Sequence, residues 1–152
     1  VLNTGGPESA AWRLMMRKSE PVSTSTMLWA GAAVLLAAVV IWGAVQPTDP
    51  LSPYIHTDTA RHILAFSAIG LCAALMPTAK PRILALGAVL GFAVLVEIIQ
   101  IPVPDRQASW SDLFASSVGS FAGFGIGALV LNVFEIMREQ FSTRAKASPR
   151  QP

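Results

Sequence analysis

The sequence predicts an all-α integral membrane protein: a bundle of four transmembrane helices with both termini cytoplasmic. Three observations predict it. The 152-residue chain is 53% apolar and only 13% charged, with a mean hydropathy of +0.53, far from the soluble average. Four apolar runs, at 27–45, 59–76, 83–101 and 113–134, each reach the roughly 20 residues needed to cross a hydrocarbon core. The basic residues are also segregated between alternate connections, as the short loops of a multi-pass protein require.

Arg13, Arg17 and Lys18 precede the first run, Lys80 and Arg82 separate the second from the third, and Arg138, Arg144, Lys146 and Arg150 follow the fourth. Only Arg61 and Arg106 fall on the opposite side, together with Asp49, Asp58, Asp105 and Asp112. Lys and Arg in short loops are retained in the cytoplasm. The expected organisation is therefore a basic cytoplasmic tail over 1–25, one transmembrane domain over 26–136, and a second basic cytoplasmic tail over 137–152. The net charge of +2 and pI near 9.1 reflect that asymmetry. Basic tails suit an anionic lipid surface, so nucleic acid need not be invoked as a partner.

The start of the chain resembles the n-region of a signal peptide, but its apolar run is too long for a typical h-region and lacks a small-x-small cleavage site. An uncleaved anchor is expected, with Trp29 and Trp42 near its two water boundaries. The following linker carries Pro47, Pro50 and Pro53, which excludes a helix there. Thr57 offers a hydroxyl N-cap to the second helix and Asp58 a first-turn negative charge. The lone Cys72 leaves no disulfide or cysteine metal site and is expected to pack. Gly87 and Gly91 in the third helix, and Gly119, Gly123 and Gly127 in the fourth, repeat every four residues and are expected to form close-packing faces. Ser109, followed three residues later by Asp112, reads as a capping box opening the fourth helix.

This topology brings Asp58, Arg61 and His62 to the outer end of helix two. Glu97 and Gln100, three residues apart and so on one face, reach the outer end of helix three. Arg106 lies in the connecting loop and Asp112 at the outer start of helix four. Glu97 sits roughly 7 Å along the helix inside the apparent boundary. An ionised carboxylate there costs several kcal/mol unless paired, so it should meet Arg61, Arg106 or His62, or hold a proton. Each residue also has a plainly structural reading. Asp58 and Asp112 are helix N-terminal charges, and Asp58 could orient the His62 ring by a hydrogen bond. Arg106 could pair with Glu97, and Gln100 could hydrogen-bond between helices.

The ordered set Asp58-x-x-x-His62-x-x-x-Phe66, Glu97-x-x-Gln100 and Pro104-x-Arg106-x-x-Ser109-x-x-Asp112, with Gly119, resembles the VanZ-like family of small polytopic bacterial membrane proteins. The resemblance covers about 58–127 and leaves the first helix and both tails outside. Two positions depart from the family pattern: Ile63 stands where an aromatic is usual after the histidine, and Ser116 where an asparagine is usual. The resemblance implies a bacterial cytoplasmic membrane location and an outward-facing polar cluster, without supplying a reaction.

Two function classes follow. In the first, the cluster of Asp58, Arg61, His62, Glu97, Gln100, Arg106 and Asp112 binds or modifies a polar head group of a lipid or cell-envelope molecule. His62 or Glu97 would then be the general base and Arg61 or Arg106 would hold an anionic group. In the second, the chain is a non-catalytic accessory subunit docking through its Gly-rich faces onto a larger respiratory or photosynthetic complex. The sequence contains no phosphate-cradling Gly loop, no HExxH and no cysteine near the cluster, and it names no cofactor. A metal reading would draw on His56, Asp58, His62 and Glu97, and a pigment reading on His62 alone.

Overall fold

A computed structural model describes residues 23–46, 57–77 and 81–147. Among them the regular elements are four helices: α1 (Thr24–Ala44), α2 (Asp58–Leu75), α3 (Arg82–Gln100) and α4 (Trp110–Ala147). Each is long and apolar enough to cross a membrane. Large apolar side chains including Leu35, Leu64, Leu84, Ile98, Phe121 and Leu129 lie exposed around the bundle. In lipid, such a surface is the solvated one, and the helices satisfy their own backbone groups. The Pro-rich linker expected to be non-helical lies outside the described residues, as does the N-terminal tail.

Helix ends differ from the expectation in two ways. Thr57 occupies the N-cap of α2 but its hydroxyl makes no capping bond, whereas Ser23 caps α1 by accepting from the Thr26 amide at 3.2 Å. The fourth helix, whose apolar run was expected to end near 134, continues to Ala147 through the start of the basic C-terminal segment. At 1.5 Å per residue this 38-residue helix is about 57 Å long, well beyond the hydrocarbon thickness.

The tightest pairing is α2 with α4. These two helices run parallel, and their approach needs residues without a Cβ. A Cβ at Gly119 or Gly123 would collide with main-chain atoms of Ile63 or Ser67, one at Gly127 would come 2.6 Å from Ala74 Cβ, and one at Gly70 would come 2.5 Å from the Ser120 carbonyl. Small-residue ridges of this kind let dispersion contacts hold helices together where lipid removes the hydrophobic drive. Gly87 and Gly91 take no part in this pairing: among the described residues, no other element comes within 4 Å of where either Cβ would sit. Four-residue spacing marks a groove but does not say whether another helix fills it.

The core is continuous beneath the polar end. Phe66 and Ile69 of α2 meet Val89, Ala93 and Val96 of α3 and Ala44 of α1, with the Phe66 and Phe92 rings 5.8 Å apart and tilted. Cys72 is free and buried, which fits a packing role. At the other end of the bundle, the Thr26 hydroxyl donates to the Pro77 carbonyl at 3.2 Å, joining the start of α1 to the end of α2.

Candidate functional site

The C-terminal ends of α1 and α3 and the N-terminal ends of α2 and α4 lie at one end of the bundle, joined there by the loop 101–109. Helix termini carry unsatisfied carbonyls and amides, so this end needs polar partners, and the charged residues of the sequence supply them.

Arg106 reaches furthest. Its Nη2 donates to the Gly43 carbonyl at 3.2 Å and its Nε to the Gln46 carbonyl at 3.3 Å, placing a cation at the negative end of the α1 dipole. Its Nη1 lies 3.8 Å from Asp58 Oδ1. Arg61, one turn into α2, forms an ion pair with the same Asp58 oxygen. The two guanidinium side chains are 13% and 11% exposed, against 53% for Asp58, so a rim carboxylate faces two largely buried cations. The described contacts of Arg106 thus run to α1 and Asp58, not to Glu97 as one sequence reading had it.

The loop is shaped to aim Arg106 inward. The Arg106 amide donates to the Val103 carbonyl at 3.2 Å, closing a turn with Pro104 second and Asp105 third. Asp105 has φ of 61°. Proline followed by a positive φ is the pattern of a type II turn, and aspartate is among the residues that tolerate it.

Glu97, in the last turn of α3, is only 7% exposed. Its Oε2 accepts the Ser109 amide at 2.9 Å, while Oε1 has no hydrogen-bond partner and stands 3.9 Å from His62 Nδ1. The capping box is therefore not closed as expected: the amide that Asp112 would satisfy is taken by a carboxylate from the preceding helix. The Ser109 hydroxyl instead pairs with Ser111 Oγ at 2.6 Å. Asp112, freed from the cap, is half-buried at the site rim.

His62 is oriented by α4, not by Asp58. Its Nδ1 is 2.9 Å from Ser116 Oγ, and its ring lies nearly parallel to Phe66 at 6.3 Å. Ser116 is the position that departs from the family's usual asparagine, and its hydroxyl supplies the histidine contact here. Ser120, one turn on and fully buried, returns its hydroxyl to the Ser116 carbonyl at 2.7 Å. Sequence spacing singles out Ser109 as a cap and Ser116 as a departure, but signals neither the Ser109 amide as the partner of Glu97, nor the Ser116 hydroxyl as that of His62, nor the α1 carbonyls as those of Arg106. The run of small residues at 116, 119, 120, 123 and 127 is the sequence signal that points to Ser116 and Ser120.

Gln100 is 6% exposed. It was expected to hydrogen-bond between helices, but its amide makes no such bond among the described residues. It borders open space instead. Two cavities meet at this level. One, of about 200 Å³, is walled mainly by Val39, Val40, Trp42, Ala65, Phe66 and Val96. The other, of about 700 Å³, is polar and reaches Asp58, Asp105, Gln107, Ser109 and Asp112. Arg61, His62, Gln100 and Arg106 line both. His56 lies outside the described residues, and among those described no group of three or more His, Cys, Asp or Glu could hold a metal ion.

A bundle of four membrane-spanning-length helices whose termini enclose a polar cluster over an apolar cavity defines a small multi-pass membrane protein. The sequence model of the VanZ/LLP1 family matches residues 6–131, and the chain belongs to that family. The match begins well before α1, so the first helix, which the motif resemblance left outside, falls within it. No curated protein and no solved structure matches the chain.

Proposed function

We propose that this protein binds the polar head group of an amphiphilic lipid or cell-envelope molecule at the outer face of a bacterial cytoplasmic membrane. The observation that carries the reading is the sharing of Arg61, His62, Gln100 and Arg106 by an apolar and a polar cavity. A purely structural ion-pair cluster requires neither cavity. An amphiphile requires both, one on each side of a hydrogen-bonding collar. The side assignment rests on the distribution of Lys and Arg along the chain.

The test is extraction in mild detergent followed by mass spectrometry of the intact protein with its bound molecules. Wild type should retain an amphiphile. His62→Ala and Gln100→Leu should lose it while the folded protein persists in the membrane. A second reading, the accessory subunit, is supported by Gly87 and Gly91, whose groove on α3 none of the described residues fills. On that reading the same extraction recovers a stoichiometric protein complex, and both variants leave it intact.

A further inference from the structure

We propose that the ligand is a zwitterionic phospholipid with a terminal primary amine, its phosphate held by Arg61 and Arg106 and its ammonium by Asp105 and Asp112. This rests on the amphiphile reading above and adds the chemistry of the head group.

The order of side chains carries it. The apolar cavity lies between α1, α2 and α3, where an acyl chain can enter from the bilayer. At its junction with the polar cavity stand Arg61, Arg106 and Gln100. Guanidinium groups match phosphate oxygens through paired N–H donors. Asp58 already brings one carboxylate oxygen to both guanidinium groups, which marks the position where a second anion would sit. Gln100 adds a buried amide with no described side-chain partner, bordering both cavities.

Beyond this collar, Asp105 and Asp112 line only the polar cavity. Neither has an ion-pair partner among the described residues, and Asp105 is held on a turn with a positive φ. From the membrane outward the sequence of environments is apolar, cationic, anionic. An aminophospholipid presents acyl chain, phosphate and ammonium in the same order.

Electrostatics disfavour the simpler alternative. Among the described residues the polar cavity is lined by three aspartates and two arginines, with the Glu97 carboxyl behind His62. A purely anionic head group would enter against that field, whereas one that also carries an ammonium would not.

The full chain is titrated in detergent with phosphatidylethanolamine and, separately, with phosphatidylglycerol of identical acyl chains, and bound lipid is counted by mass spectrometry of the intact protein. Phosphatidylethanolamine should bind about fivefold more tightly, as expected for partly exposed carboxylate–ammonium pairs. The double variant Asp105→Asn/Asp112→Asn, altered only at the rim, should lose this preference and gain affinity for phosphatidylglycerol. Gln100→Leu should weaken both lipids. Equal binding of the two lipids by wild type, with both weakened by Gln100→Leu, would overturn the zwitterion assignment and leave the amphiphile site standing. Binding indifferent to every variant would overturn both.

Discussion

His62 Nδ1 and Glu97 Oε1 stand 3.9 Å apart, with Ser116 Oγ closing on the same nitrogen at 2.9 Å. The carboxylate is thus divided between two tasks: one oxygen faces the imidazole and the other holds the Ser109 amide, just ahead of α4, at 2.9 Å. The second task is the structural one and can be isolated. Glu97→Gln keeps an oxygen acceptor for Ser109 N–H and should change stability by less than about 1 kcal/mol. Glu97→Leu leaves that amide unpaired in a buried position and should cost about 1–3 kcal/mol. Reversible unfolding in mixed detergent micelles measures both. Equal losses would show that the charge, not the acceptor, secures the start of α4.

The glycines separate just as cleanly. Gly123 lies against Ser67 main chain, whereas Gly87 and Gly91 lie against no other element among the described residues. Backbone cannot move aside as a side chain can, so Gly123→Ala should destabilise by about 1–3 kcal/mol through overpacking. Gly87→Ala and Gly91→Ala should stay within about 0.5 kcal/mol. Thermal unfolding in detergent provides the comparison, and a loss at Gly91→Ala would place a further helix against α3.

These contrasts mark what could be read from the residues. Four spans were legible because an apolar run of membrane-crossing length has few other uses. The continuation of α4 to Ala147 was hidden by charge: Arg138, Glu139 and Arg144 look like tail, yet no Gly or Pro interrupts the chain between Gly127 and Pro149. The polar cluster was legible as a set because its members are costly in a membrane. Its pairings were not. Arg106 goes to the Gly43 and Gln46 carbonyls, and a backbone carbonyl has no signature in sequence. Glu97 goes to the Ser109 amide for the same reason.

Arg106 is the side chain that fastens α1. Among the described residues, no other side chain of the site hydrogen-bonds to that helix. Arg106→Gln removes the charge that complements the α1 dipole and the paired donors to its last carbonyls, and should cost about 1–3 kcal/mol. Arg106→Lys retains a cation without the planar fork and should fall between the two. Unfolding in detergent ranks the three proteins. A lysine variant as stable as wild type would show that charge alone suffices at this helix end.

The proposed orientation makes a prediction that depends on none of the site chemistry. Nine of the eleven basic residues lie on one side of the predicted topology, which should hold the end of α4 in the cytoplasm and the loop 101–109 outside. In a Cys72→Ala background, single cysteines at Gln107 and Thr143, both exposed, report each side. A membrane-impermeant maleimide added to intact cells should label the cysteine at 107 and should reach the one at 143 only after permeabilisation. The reverse pattern would put Arg61, His62 and Arg106 at the cytoplasmic leaflet. The two cavities and their shared collar would be unchanged, but the ligand would then be drawn from the inner lipid population.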